Sequence, residues 1–257
     1  MTLLIYSIMV RAPEEYVPML EMMWSTLSLR GCVRCDMLLI GSRECLSACR
    51  RLPRPACVDR LHALEVPAEP SLHDSLLRKL DIVDFVGLRE YSQVLYLDCD
   101  IIVRNRLDRI LDEASLEPSV LHATEENESF DHPFFGFGDY DLADLRRRGA
   151  RTFNDGSFIF APNDVTIGHL RNVRALARGN PDLRKRFYDQ SFFNDYFYRH
   201  PHAVSVSVLS RRRVRLFPVD SGAYATKALV HFCGIGGYAK KKRRMRAYVE
   251  RARIESS

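Results

Sequence analysis

Four short segments combine residue types that can do chemistry together. Asp98-Cys99-Asp100 directly follows the apolar run Gln93 to Leu97. Two carboxylates one residue apart point to opposite faces of a continuing strand, but they converge where the chain turns. Acids at the end of a buried strand are costly unless they meet solvent or a cation. A hard divalent ion removes that cost, more so when it also binds a diphosphate. The competing reading has one acid capping the next helix and the other solvated, and the pair alone does not choose. Phe153-Asn154-Asp155-Gly156-Ser157 offers an amide, a carboxylate and a glycine. It reads as a tight turn holding a polyhydroxyl ligand, or as an ordinary hairpin turn. Asp189-Gln190-Ser191 opens an aromatic helical stretch in which Asp189 can equally be an N-cap. His231 ends an apolar run shortly before Gly234. A lone histidine is more often hydrogen-bonded structure than a ligand.

The elements that must position these groups follow from hydrophobic periodicity. Residues 3–10 are an apolar, β-branched run and predict a buried strand. Residues 14–29 place Val17, Leu20, Trp24 and Leu27 at helical spacing, with Gly31 as the stop. Residues 35–40 predict a second strand and 71–86 a helix with Leu76, Leu77, Leu80 and Val83 on one face. Gln93–Leu97 is a third strand, and Ile101–Val103 continues its apolar pattern. This alternation predicts a parallel sheet with helices on both faces. Ligands of such sheets sit beyond the carboxyl ends of the strands, where Asp98 falls. The later half is mixed, with strands at 158–160 and 203–208 and helices at 165–177 and 190–197. Residues 125–140 are acidic and aromatic, and suit a loop over a site.

At 257 residues, with 46% hydrophobic and 28% charged residues, the chain has ample length for a globular α/β core. No run of eighteen apolar residues predicts a spanning helix. MTLLIYSIMV carries no basic region and reads as a first strand rather than a signal peptide. These features predict a cytoplasmic protein. The net charge of +5 is concentrated in Arg146-Arg147-Arg148, Arg211-Arg212-Arg213 and Lys240 to Arg246. The first two read as solvated faces. The last, within a basic helix or tail at 238–257, suits peripheral contact with an anionic membrane or a plain solvated helix. It lacks the interleaved aromatics of a nucleic-acid platform, so no specific nucleic acid is expected. The seven cysteines, including Cys32-x-x-Cys35 and Cys45-x-x-x-Cys49, lack a convincing zinc spacing and read as reduced thiols.

In order and separation, the chemical segments resemble glycosyltransferase family 8, the family of glycogenin and of lipopolysaccharide galactosyl- and glucosyltransferases. The matching pieces are Lys79-Leu80, YLDCDIIV from Tyr96, FNDGSFIF from Phe153, DQSFFNDYF from Asp189 and VHFCGIGG from Val230. The resemblance implies a GT-A fold, a Rossmann-like, mostly parallel central sheet flanked by helices. It would form a single domain over 1–237, with a nucleotide-binding half at 1–103 and a donor-sugar and acceptor half at 104–237. It also implies a UDP-sugar donor, a glycan, glycolipid or protein acceptor, retention of anomeric configuration, and manganese, with magnesium also compatible with the ligand types. Asp98, Asp100 and His231 would hold the metal. Tyr16 would stack on uracil, the backbone at Ser7, Ile8 and Val10 would read the base, and Cys99 and Gly234 would adjoin the nucleotide. Lys79 would meet phosphate or sugar oxygens. Asn154, Asp155 and Gly156 would hold the sugar, with Asp189 and Gln190 near the anomeric carbon.

The chain departs from the family pattern in three places. Asp155 stands where the family commonly has serine or alanine, and Ser191 where it has glycine. The family lysine after the histidine is absent, so Lys240 or a neighbour is expected to reach the diphosphate. Two rival readings use the same residues: a haloacid dehalogenase-like phosphatase built on Asp98, and a non-catalytic nucleotide-sugar or glycan-binding protein.

Overall fold

The computed structural model describes residues 2–31, 33–69, 71–126, 136, 141–184, 188–218 and 226–254. Strand β1 (Leu3–Met9) is buried along its whole length, as expected of a strand covered on both faces. Helix α1 (Pro13–Arg30) begins with a proline whose missing N–H costs nothing there. It closes where the Gly31 N–H donates to the Leu27 carbonyl. Strand β2 (Cys35–Gly41) is again fully buried. Helix α2 (Arg43–Cys49), capped by Ser42, leads to the half-exposed edge strand β3 (Val58–Glu65). The sequence reading passed over both. Helix α2 is only two turns long, and β3 carries Asp59, Arg60 and Glu65, the charge that edge strands use against aggregation.

The single helix expected at 71–86 divides. Helix α3 (Leu72–Leu77) is capped by Ser71, and a 3-10 segment (Arg78–Asp84) follows. Leu77, Leu80 and Val83 recur every three residues, which is the period of the tighter winding. Lys79 is thereby turned into the interior, only 1% exposed. Strand β4 (Gln93–Leu97) then enters the sheet, while β5 (Ile101–Val103) leaves it for another. The remaining elements are α4 (Asp108–Ala114), β6 (Leu121–Glu125), α5 (Leu142–Arg147), β7 (Phe153–Phe160), α6 (Asp164–Gly179), α7 (Pro181–Arg184), α8 (Asp189–Arg199), β8 (Val204–Ser205), β9 (Val214–Leu216), β10 (Leu229–His231) and α9 (Tyr238–Ile254). The strand expected at 203–208 shrinks to β8, because Pro201–Ala203 forms a 3-10 turn before it.

The main sheet has the order β3-β2-β1-β4-β7-β6-β8. Strands β1 to β4 run parallel, β7 is antiparallel to both β4 and β6, and β8 is parallel to β6. A small sheet, β5-β10-β9, stands apart. The result is the mostly parallel α/β architecture with a mixed later half expected of a GT-A fold. Residues 153–157 are not a tight turn. They belong to β7, which bulges: Ala123 pairs with Phe158 but the next residue, Thr124, pairs with Asn154.

Helices cover both faces of the main sheet. One core gathers Trp24, Met37, Cys45 and Leu97 with the small sheet and with Met245, Tyr248 and Val249 of α9. The other is aromatic, with Tyr6, Tyr96, Phe158, Phe160, Phe192 and Phe193 beneath α6 and α8. Helix α9, expected as a basic helix or tail, is therefore docked by its apolar stripe. No helix among the described residues is long and apolar enough to cross a membrane. The loop expected at 125–140 falls mostly outside the described residues, as does Cys32; the described cysteines are free thiols. Met245 is fully buried, so Met245→Ala should cost roughly 2–5 kcal/mol in chemical denaturation. A loss within error of zero would show that α9 is not docked as described.

Candidate active site

The chain turns where β4 ends. The Asp98 N–H donates to the Gly156 carbonyl of β7 at 2.9 Å, and the Ile101 N–H donates back to the Asp98 carbonyl at 3.1 Å. Strand β5 then pairs antiparallel with β10, opposing Ile101 to His231. The Phe232 N–H donates to the Asp100 carbonyl, locking the register beside the acids. His231 Nε2 lies 3.1 Å from Asp100 Oδ1 and 3.6 Å from Asp98 Oδ2. Among the described residues these three form one group able to hold a metal, with one ligand atom from each all within 4.8 Å. Two carboxylates and an imidazole are ligand types that suit a divalent metal ion.

The backbone beneath this group is shaped for it. A Cβ on Gly156 would lie 2.1 Å from His231 Cε1 and 2.7 Å from Asp98 Oδ2. Only glycine lets β7 pass so close. Burial raises the Asp98 carboxyl above its usual range; Lys79 opposes this and Asp100 adds to it. Burial also pushes Asp100 upward, but Lys241 and His231 outweigh it and hold that carboxyl well below the usual range. Asp100 Oδ2 accepts a hydrogen bond from Lys241 Nζ. Burial disfavours an imidazolium at His231, yet Cys233 and Asp100 overcome this and raise it well above the ordinary value. A metal ion binding here would have to displace that proton.

The next wall is built on a buried cation. Lys79 Nζ sits 2.6 Å from Asp189 Oδ2 and 3.2 Å from Asp155 Oδ2, and donates to the Asp155 carbonyl at 3.1 Å. It lies 4.7 Å from the centre of the Tyr96 ring. Burial opposes its charge, but Asp155 and Asp189 outweigh this and keep it an ammonium. Lys79, expected to touch phosphate or sugar, lies behind the cleft rather than on its surface, because the 3-10 winding turns it inward. Burial, then Asp189, raises the Asp155 carboxyl well above its ordinary range. Asn154 Nδ2 donates to Gln190 Oε1 at 3.0 Å, and Gln190 Nε2 donates to Glu126 Oε2 at 3.1 Å. Asn194 holds this wall together by bonding both the N–H and the carbonyl of Phe153.

Both walls open on one cleft of about 740 Å³. Ile8, Val10, Tyr16, Asp98, Cys99 and Asp100 are among its lining residues, as are Asn154, Asp155, Gly156, Asp189, Gln190, His231 and Gly234. Ser7 lies beneath, its Oγ donating to the Leu97 carbonyl at 2.7 Å. Tyr16 Oη lies 2.7 Å from Tyr238 Oη, with the rings edge-on. Lys240 is exposed and outside the lining; one residue on around α9, Lys241 enters it. Of the two non-glycine residues with positive φ among those described, Phe217 lines this cleft and Ala12 directly follows the lining residue Arg11. Such strain gathers at functional sites. Gly234, with φ of +64°, leaves room for the Phe217 ring, which a Cβ would meet at 2.5 Å.

Sequence reasoning missed Glu126, Phe217 and Tyr238 as lining residues. Glu126 sits just past β6 in a stretch read only as an acidic loop, and Phe217 and Tyr238 carry no local signal of a site. Gly156→Ala should weaken divalent-metal binding by roughly 10- to 100-fold in calorimetric titration. Unchanged affinity would show that the close approach of β7 does not shape the site.

A model of glycosyl transferase family 8 matches residues 59–236. No curated protein matches the chain. The matched span begins in β3 and contains the Asp98, Asp100 and His231 group together with Lys79, Asp155 and Asp189. The chain belongs to glycosyltransferase family 8.

Proposed function

We propose that this glycosyltransferase moves a hexosyl or pentosyl group from a UDP-sugar to a glycan, lipid-linked or protein acceptor, with retention of anomeric configuration. The observation that carries the reading is one cleft in which the Asp98, Asp100 and His231 group adjoins the Asp155 and Asp189 wall. Asp98, Asp100 and His231 would hold manganese or magnesium, whose bound charge offsets that of the departing diphosphate. Lys241 places positive charge at the same end. Tyr16 stacks on the base, the Ile8 and Val10 backbone reads its edge, Cys99 adjoins the nucleotide, and Gly234 admits the diphosphate close to the chain. Asn154, Asp155, Gly156 and Gln190 hold the sugar.

In the reaction the bond from the anomeric carbon to the diphosphate oxygen breaks, and UDP leaves with the electron pair. The acceptor oxygen forms the new bond and its proton passes to the released UDP. Asp189, fixed by Lys79 at 2.6 Å, either attacks the anomeric carbon as a nucleophile and is then displaced from it by the acceptor oxygen, or stabilises its positive charge while the acceptor enters from the same face. Both routes retain configuration.

UDP release should be manganese-dependent with at least one of UDP-glucose, UDP-galactose, UDP-xylose and their N-acetyl forms. Chelation should abolish it, and Asp98→Asn or Asp100→Asn should lower it about 100-fold or more. Release that persists in full in both variants would overturn the metal assignment. Metal-dependent nucleotide binding without turnover of any donor would favour the non-catalytic reading, and hydrolysis of an aryl phosphate the phosphatase reading.

We also propose a cytoplasmic enzyme that touches an anionic membrane through α9. Its outer face exposes Lys240, Arg243, Arg246 and Arg251 while Met245, Tyr248 and Val249 are buried. The protein should co-sediment with phosphatidylserine-containing vesicles at low salt, and less as salt screens the contact. Equal sedimentation of the Lys240→Glu, Arg243→Glu, Arg246→Glu triple variant would remove this contact from the proposal.

A further inference from the structure

Away from the cleft, α1, β2 and the turn before β3 bring two cysteines together. Cys35 opens β2 and is only 3% exposed. Cys57 ends the turn, where the Val58 N–H donates to the Pro55 carbonyl at 3.0 Å, and is partly exposed. The Cys35 N–H donates to the Cys57 carbonyl at 3.0 Å, and Cys35 Sγ lies 3.9 Å from that oxygen. Ser28 Oγ of α1 lies 3.8 Å from Cys57 Sγ. Both side chains pack in the core that holds α1, and their thiols interact directly. Neighbouring strands lie about 4.8 Å apart, inside the roughly 4.4–6.8 Å that a disulfide spans between Cα atoms. Charged groups fix the strand ends around the pair: Asp36 accepts from the Arg60 N–H and Nε, and Arg34 bonds Asp59. The contact with Cys35 lowers the Cys57 thiol to about 6 against the upward push of burial, with Ser28 and Arg34 assisting. The same contact, and then burial, pushes Cys35 up. The thiolate therefore falls on the accessible sulfur and the proton stays on the buried one. Cys45, Cys49 and Cys99, by contrast, are buried, and burial pushes their thiols up.

We infer that Cys57 and Cys35 form a thiol–disulfide exchange site for a low-molecular-weight disulfide, with Cys57 as the attacking sulfur and Cys35 as the resolving one. Cys57 Sγ attacks one sulfur of the disulfide RSSR, whose S–S bond breaks, and RS⁻ leaves with the electron pair. The mixed disulfide at Cys57 then stands beside Cys35. The Cys35 proton passes to the released RS⁻, and Cys35 Sγ attacks Cys57 Sγ, expelling the second RS⁻, which takes a proton from water. Two protein thiols are oxidised and one RSSR is reduced to two thiols. The new bond ties β2 to the start of β3 across 22 positions of chain. An excess of a reducing thiol runs the same exchange backwards and restores both cysteines.

The test incubates the folded, reduced protein with glutathione disulfide at neutral pH, quenches with acid, alkylates the remaining thiols in denaturant and maps the peptides by mass spectrometry. Wild type should yield a Cys35–Cys57 cross-link that dithiothreitol reverses. Cys45 and Cys49 should be modified at least about tenfold more slowly than Cys57. Cys35→Ser should stop at the glutathione adduct of Cys57, and Cys57→Ser should leave Cys35 a free thiol. Cys35→Ala replaces the serine variant if that one does not fold. Cys57 recovered as a free thiol from wild type, or bonded to any other cysteine, Cys32 included, overturns the inference. A glutathione adduct that persists on Cys57 of wild type without reaching Cys35 overturns the resolving role of Cys35. Modification of Cys35 in the Cys57→Ser variant at the wild-type rate overturns the attacking role of Cys57.

Discussion

Acids concentrated at the ends of buried strands repel one another and lose water, and the fold must answer both costs at once. Here Asp98, Asp100, Asp155 and Asp189 are met by Lys79, His231 and Lys241, cations drawn from three separate parts of the chain. Each is delivered by a different device. A 3-10 winding turns Lys79 inward, an antiparallel pairing presents His231, and a docked helix aims Lys241. Removing Lys79 would leave Asp155 and Asp189 without the cation they share, which is a larger loss than the net worth of the pair. The walls of the cleft are thus held by electrostatics as well as by packing. The neighbouring hydrophobic clusters supply the rigid frame that keeps these charges from relaxing apart.

That frame is divided by the main sheet. On one side aliphatic residues and α9 close over the strands, and on the other a stack of aromatic rings separates the sheet from α6 and α8. The aromatic side lies directly under the acidic wall: Tyr96 contacts Lys79 with its ring and donates its hydroxyl to Asp98. One residue of β4 therefore touches both halves of the charge network. The bulge in β7 serves the same end, since it lets Gly156 lie beneath His231 while Ser157 still pairs with Leu97 of β4.

Much of this was legible in the sequence because hydrophobic periodicity marks buried strands and long amphipathic helices. Strands β1, β2 and β4, helices α1, α6 and α8, and the place of Asp98 at a strand end all carried that signal. Short or charged elements did not: α2 is two turns long and β3 is an edge. The turn expected around Asn154 was instead a bulged strand, because two neighbours supply hydrogen-bond partners that a local reading does not see. Lys79 was read as surface-reaching for the same reason, since its burial depends on acids 76 and 110 residues away. Lys241 rather than Lys240 enters the cleft because helix docking, not spacing from His231, decides which lysine faces in.

The pairing of β5 with β10 also has a meaning in time. A chain emerging from the ribosome folds from its N-terminal side first. Asp98 and Asp100 would appear with most of the parallel strands in hand, but neither His231 nor Lys241 would yet exist to meet them. Strand β7, which lies between β4 and β6 in the sheet, is likewise a late arrival beside an early neighbour. The half-made protein would therefore hold exposed, mutually repelling acids rather than a working centre. Pairing of β10 and docking of α9 would create the charge balance and the cleft in one event, so that a chain without them gains neither.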